Sequence, residues 1–378
     1  MMLGLALFTL VLWLVLTADW FMGIRNVARL SRIDQPLIKY PPLTVVIPAL
    51  NEARALERSL QSVLHQDYPD LEILVLNDRS TDETGEILDR MKARYPHLQV
   101  AHVRELPAGW LGKNHALQLG AQRAGGEWLL FTDADVQFEP HALTAALAYA
   151  VENDLDHLTA VPHMLAKSPW LKAFVSSFML LFSFGILRAS APATKAHVGL
   201  GAFNLLRRSV YEAVGGHQPI ALRPDDDMML GKLVKAAGYR QAVVLAPELM
   251  RVEWYTGVRE AIRGLNKNAF AGLAYSLPVV LLVTLALLLA HVLPFVAVFL
   301  TAGWTRLIFS LVLLDITFVY ALGRRVTQLP VWYVVLHPVG TGVLIYAILE
   351  SAVKALWQGG IRWRGTFYPL EQLRKNRV

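Results

Sequence analysis

Asp133 and Asp135 stand one residue apart in Leu129–Val136, LLFTDADV, at the end of an apolar run. The residues Trp128 to Phe131 read as a short buried strand. Burying a carboxylate costs free energy, and burying two like charges side by side costs more. The pair therefore belongs at the strand's exit, where something offsets its charge. A hard divalent cation, Mg2+ or Mn2+, does this with oxygen ligands and often shares them with a substrate phosphate. On this reading Asp135 and Asp133 are the metal ligands. A solvated strand-end turn has the same short signature, so the neighbouring motifs must decide.

Upstream, VVIPALNE (45–52) reads as a strand ending at Pro48, followed by a polar loop with Asn51 and Glu52. A second strand ends at Asn77-Asp78. Ligands of parallel α/β sheets bind at the carboxyl ends of strands, which puts Pro48, Glu52 and Asp78 where a nucleotide is held. A carboxylate is an acceptor and suits the N3–H donor of uracil. Ser80–Glu83 has the pattern of a helix-capping box, which gives Asp82 a structural role. Lys113 precedes a helical stretch, where a lysine contacts a diphosphate or is simply a surface cation. The acidic triplet Asp225-Asp226-Asp227 is, taken alone, a solvated turn.

These residues need a scaffold, and the chain supplies an α/β one. Strands Leu43–Ile47, Leu71–Leu76 and Trp128–Thr132 alternate with helical stretches Ala53–Leu64 and Glu83–Met91. The flanks are different. The 378 residues are 54% hydrophobic and 17% charged, unusual for a soluble protein of this size. Residues 2–17, extendable to Met22, make an apolar run without the basic lead or cleavage pattern of a secretory signal, and read as a retained anchor. Arg25, Arg29, Arg32 and Lys39 follow it and place the next domain in the cytoplasm. Further spans are expected at about 277–300, 307–322 and 331–349, with Trp304, Trp332 and Trp357 near their ends. The expected domains are a transmembrane anchor over 1–24, a cytoplasmic α/β domain over 41–270, a transmembrane region over 275–355 and a basic tail over 356–378.

The apolar run at 170–187 lies between the two acidic clusters. A single crossing there would separate them, so it is expected to lie in the headgroup layer, with a buried core helix as the alternative. The last spans leave the side of the tail open. Arg362, Arg364, Arg374, Lys375 and Arg377 prefer the inside, and HPVGTG (337–342) could form a re-entrant turn. There is no cysteine, which excludes disulfides and thiolate metal sites. The modest net charge of +6 gathers beside the apolar segments, which indicates a lipid bilayer partner and no nucleic acid.

The ordered series VVIPALNE, LNDRSTDET, GKNHALQLG and TDADV resembles glycosyltransferase family 2. GLGAFNLLRRSVYEAVGGH (199–217) resembles its acceptor-side strand and helix, and DDDMMLGKLVKAAG (225–238) its segment bearing the base. About 210 residues are covered. The flanks and WRGTFY (363–368) resemble members that act on membrane lipids, including enzymes associated with carotenoids, hopanoids and ceramides. The resemblance implies a GT-A fold, with a mixed, mainly parallel sheet, and an inverting enzyme using Mg2+ or Mn2+. Its donor would be a nucleotide sugar, UDP-linked before GDP-linked, and its acceptor a membrane lipid. It puts the catalytic base at Asp227, with Asp226 in place of the usual Glu. Processive members carry Q-x-x-R-W, whereas here Arg263 is followed by Gly264, which speaks against a processive polysaccharide synthase. Arg259, Arg263 and Lys267 share a helical face, and Arg263 is expected at the diphosphate or at lipid headgroups. Two further alternatives are a polyprenyl-phosphate sugar transferase and a catalytically silent membrane partner.

Overall fold

The apolar runs that end near Ala49, Asp78 and Phe131 become neighbouring strands of one sheet. A computed structural model describes residues 1–30, 37–190, 195–363 and 365–375. The strands, in chain order, are β1 (Leu43–Ala49), β2 (Leu71–Asp78), β3 (Leu98–Val103), β4 (Trp128–Phe131), β5 (Val136–Phe138), β6 (His157–Val161), β7 (His163–Met164), β8 (Asn204–Arg207), β9 (Gln241–Leu245) and β10 (Met250–Val252). Seven of them form a sheet in the order β3-β2-β1-β4-β8-β6-β9. Pairing is parallel except at β8, which runs against β4 and β6. This is the mixed, mainly parallel sheet with flanking helices that the sequence implies.

Every residue of β1 is buried, as a parallel strand covered on both faces requires. Val46, Leu76, Leu129 and Phe131 share a core with Leu117 and Ala121 of the helix Gly112–Arg123, and with Leu230 and Val234 of the helix Asp226–Ala236. The chain runs outward from β1 to β2 and β3, then returns to β4 on the other side of β1. The crevice at that switch, at the carboxyl ends of β1 and β4, is where such sheets bind ligands. Elements begin and end a few residues from their expected bounds. The capping box is the one local misreading here. The helix starts at Thr84, and Asp82 accepts from the N–H groups of Thr84 (3.0 Å) and Ala53 (3.2 Å), so Asp82 is structural but Ser80 is not the cap.

The chain divides into two units: Val27–His163 with Arg188–Glu253 carry the sheet, and Met1–Asn26, Met164–Leu187 and Trp254–Arg374 form a helical unit. Among the described residues four helices are long and apolar enough to cross a membrane: Met2–Arg25, Leu277–Leu300, Gly303–Thr327 and Val331–Gln358. In the first, Ala6, Thr9, Trp13, Thr17, Trp20 and Gly23 are buried at helical spacing, whereas Leu7, Phe8, Val11, Leu14 and Val15 are exposed. Pro294 lacks the N–H that would bond the carbonyl of Ala290, and a π-turn covers Leu288–Val292. The freed Ala290 carbonyl accepts from Trp13 Nε1 at 2.8 Å, so a buried indole satisfies what the proline leaves.

HPVGTG does not form a re-entrant turn. Pro338 sits in the first turn of the helix His337–Gln358, where a missing N–H is harmless, and the helix runs through. The basic tail is partly ordered as a hairpin of β11 (Gly360–Trp363) and β12 (Thr366–Pro369) followed by the helix Leu370–Lys375. The apolar run expected at 170–187 is a helix, Pro169–Ile186, capped by Ser168. Arg32, Arg364 and Arg377 lie outside the described residues.

Candidate active site

Pro48, Lys113, Asp133, Gly201, Asp226 and Asp227 line one cleft at the switch point. Each comes from the end of a regular element. Pro48 is near the end of β1, Asp133 follows β4, and Gly201 precedes β8. Lys113 and the two aspartates open the helices Gly112–Arg123 and Asp226–Ala236. The first helix can start this close to the sheet because Gly112 has no side chain: a Cβ there would overlap the Asp78 carboxylate.

Lys113 Nζ lies 2.9 Å from Asp133 Oδ1 and 3.6 Å from Asp226 Oδ2. It thus bridges the strand-end aspartate and the acidic triplet, which are far apart in sequence. Burial works to lower its pKa, but Asp133, Asp226 and Asp227 prevail and hold the ammonium raised and charged. Asp227 is held differently. Its Oδ2 accepts from Gly201 N at 2.7 Å and its Oδ1 from Met228 N at 2.8 Å. Burial pushes its pKa up, with Lys113 opposing. Asp225 is engaged by the Arg223 guanidinium at 2.8 and 2.6 Å. The triplet is therefore not a solvated turn.

Asp135 is pushed up to about 7 by burial, then by the carboxylates of Asp133 and Glu52. Such crowding of oxygen donors is what a hard divalent cation relieves, and Mg2+ or Mn2+ sites commonly use one or two carboxylates with substrate phosphates. Asp135 and Asp133 fit that donor set, although Asp133 also carries the Lys113 ion pair.

Glu52 lies in the loop after β1, close enough to Asp135 to act on its charge. That loop is stitched to the one after β2: Asn51 Oδ1 accepts from Thr81 N at 2.8 Å, and Glu52 N donates to Thr84 Oγ1 at 2.8 Å. Asn51 and Arg79 both take left-handed backbone conformations there, φ 57° and 60°. Asp78 is fully buried at the end of β2, with Arg79 forked onto it at 2.8 and 3.2 Å. Arg263 is in the helix Val258–Leu265 of the helical unit. Gly201, Asn204 and His217, which no motif marks, also line the cleft. Their only signal was position, in the stretch 199–217 already singled out.

Residues 44–215 match the family described as glycosyl transferase family 2. The chain is similar to 4,4'-diaponeurosporenoate glycosyltransferase of Staphylococcus aureus (strain USA300), 24% identical over 341 residues that cover 87% of this chain and 89% of the relative. The protein of that name from the bovine strain RF122 is 25% identical over the same length. Among solved structures, the mannosyltransferase PcManGT from Pyrobaculum calidifontis, in complex with GDP-Man and Mn2+, aligns with a TM-score of 0.56 at 18% identity. The alignment covers 95% of this chain and 99% of that one, and at this identity it shows a shared fold.

Proposed function

We infer the reaction from the premise that residues 44–215 belong to glycosyl transferase family 2, which makes the chain a glycosyltransferase. We propose that it is an inverting, membrane-anchored enzyme that moves a sugar from a nucleotide sugar, UDP-linked before GDP-linked, to a hydroxyl of a membrane lipid. One observation carries this reading: Asp227 is fixed by two backbone N–H groups beside the Lys113-bridged Asp133 and Asp226, at the sheet's ligand-binding end. The S. aureus relative is named for the glycosylation of 4,4'-diaponeurosporenoate. Four apolar helices of spanning length support an acceptor drawn from the bilayer.

In the proposed reaction, Glu52 and Asp78 hold the base end of the donor, and Asp133 its ribose or diphosphate side. Asp135 and Asp133 would hold Mg2+ or Mn2+. When bound, the cation neutralises charge gathering on the departing nucleoside diphosphate. Lys113 keeps Asp133 and Asp226 paired in a partly buried cleft, where like charges would otherwise repel. Asp227 accepts the proton of the acceptor hydroxyl as that oxygen attacks the anomeric carbon in line. Its raised pKa, together with free lone pairs on both oxygens, suits that task. In this proposal the catalytic unit faces the cytoplasm, as the basic residues Arg25, Arg29 and Lys39 after the first apolar helix favour, and the apolar helix Pro169–Ile186 lies in the headgroup layer. The test is mass spectrometry of membrane lipids from cells with and without the protein. A glycolipid present only with the active protein is expected. Identical lipid profiles, with no nucleotide sugar bound in calorimetry, would overturn the reading.

A further inference from the structure

Behind the acidic cleft lies a chain of buried side chains whose hydrogen-bond directions can be assigned from end to end. Gln241 of β9, His157 of β6 and Asn204 of β8 are 3%, 0% and 2% exposed. The chain starts from two backbone groups that cannot be ambiguous. Val198 N donates to Gln241 Oε1 at 2.9 Å, and Gln241 Nε2 donates to the Gly231 carbonyl at 3.0 Å. Together these fix which way the Gln241 amide points. Its Nε2 also lies 2.7 Å from His157 Nδ1. An amide nitrogen only donates, so Nδ1 is the acceptor and the imidazole proton sits on Nε2. Burial holds His157 down to about 4, consistent with a single proton on the ring.

His157 Nε2 contacts Asn204 Oδ1. Since Nε2 carries the proton, that Asn204 atom must be the oxygen, and the amide orientation follows. Asn204 opens β8, in register with Phe131, two residues before Asp133, and it lines the cleft. Among the described residues its NH2 group has no protein partner. A nearly fully buried side chain thus presents a donor whose polarity is set through three residues from the backbone. The cleft is also lined by the acceptors Asp133, Asp226 and Asp227, by Thr132, whose hydroxyl donates to the Ala202 carbonyl, by His217, whose Nδ1 faces the Tyr211 hydroxyl, and by Lys113, which is shared between Asp133 and Asp226.

We propose that Asn204 is a binding and specificity residue for the transferred sugar, its amide NH2 donating to a hydroxyl oxygen of that sugar while a cleft carboxylate accepts the same hydroxyl's proton. A sugar hydroxyl is both donor and acceptor, and this cleft offers partners of both kinds. The assignment rests on the glycosyltransferase reading and adds to it the group that reads the sugar. His157 and Gln241 are positioning residues, since they act through Asn204.

The test uses the full chain in nanodiscs and a panel of UDP-glucose, UDP-galactose, UDP-N-acetylglucosamine and GDP-mannose. Calorimetry with the nucleotide sugar that the wild type binds is compared with calorimetry using its free nucleoside diphosphate. Asn204→Ala is expected to weaken the nucleotide sugar about ten- to hundred-fold, as for a lost hydrogen bond in a desolvated site, and to leave the free diphosphate within about twofold. Asn204→Asp keeps the oxygen that accepts from His157 but removes the donor. It should lose turnover at least as severely and, with a further carboxylate buried beside Asp133, Asp226 and Asp227, melt lower; the retained affinity of Asn204→Ala for the free diphosphate is what separates the role from misfolding. Equal losses for nucleotide sugar and diphosphate, or wild-type affinity in Asn204→Ala, would overturn the proposal. A wild type that binds nothing in the panel would overturn the glycosyltransferase reading itself.

Discussion

Asp133 and Asp227 are tied to the same glycine: Asp133 N donates to the Gly201 carbonyl at 2.9 Å, and Gly201 N donates to Asp227 Oδ2 at 2.7 Å. The strand-end motif and the acidic triplet are thereby held in one frame by a single residue. A Cβ at Gly201 would lie 2.5 Å from Asp133 Oδ2 and 3.3 Å from Lys113 Nζ.

Gly201→Ala is therefore expected to displace Asp133 and, with it, the Lys113 bridge. Overpacking of this kind costs roughly 1–3 kcal/mol, and turnover should fall at least about tenfold because the reacting groups lose their register. Steady-state kinetics and a thermal melt on the purified variant check both effects. Wild-type turnover would show that the cleft tolerates movement of Asp133 and that the glycine frame is not needed.

Much of this arrangement was legible in the sequence because its signals are local. LLFTDADV announces a buried strand and its acidic exit, and the apolar flanks announce membrane helices by length alone. The partners that decide the chemistry were not local. Lys113 reads as a surface or diphosphate-facing lysine until the fold brings Asp133 and Asp226 to it. Gly201 and Asn204 carry no motif of their own, and their roles come from the register of β8 beside β4. HPVGTG misled for a physical reason. Proline breaks a helix in its interior but is tolerated in its first turn, and the helix starts one residue before Pro338.

Asp135 should be required for catalysis and costly to the fold. A half-buried carboxylate crowded by Asp133 and Glu52 is held against repulsion when no cation is present. Asp135→Asn is expected to abolish turnover and to raise the melting temperature of EDTA-treated protein above that of the equally treated wild type. EDTA should likewise stop the wild type, and Mn2+ should restore it. Full activity in EDTA, or of the variant, would remove Asp135 from metal binding.

His157 makes stability depend on pH in a defined window. Its imidazole takes a proton near 6.5 when exposed but only near 4 in the fold. Between those values the unfolded chain binds more protons, so this contribution is complete above pH 6.5 and is lost as pH falls towards 4. The gap corresponds to about 3 kcal/mol. His157→Gln lacks the titration. It should be less stable than the wild type at pH 8, and the difference in urea midpoint should narrow as pH drops towards 4.5. Parallel curves for the two proteins would show that His157 does not titrate as its burial requires.

Asp227 is expected to be the general base, because the acceptor hydroxyl must lose its proton. An alcohol is a weak nucleophile at neutral pH, and its oxygen gains positive charge as it attacks. A carboxylate within reach takes the proton as that charge develops, typically worth about a hundred- to ten-thousand-fold in rate. Of the three adjacent aspartates, Asp225 is occupied by Arg223 and Asp226 pairs with Lys113. Asp227 accepts only backbone N–H bonds among the hydrogen bonds described, one on each oxygen, which leaves each oxygen a further lone pair. Asp227→Asn should cut turnover by the factor given above, while nucleotide-sugar affinity changes little. Because burial raises its pKa, turnover by the wild type should fall on the acid side at a pH above the usual carboxylate value of 3.8. If Asp226→Asn is the damaging change instead, the base is one residue earlier. If neither substitution matters, the acceptor is already an anion. That would fit a polyprenyl phosphate, or a carboxylate such as the one for which the S. aureus relative is named, because neither needs a base to remove a proton.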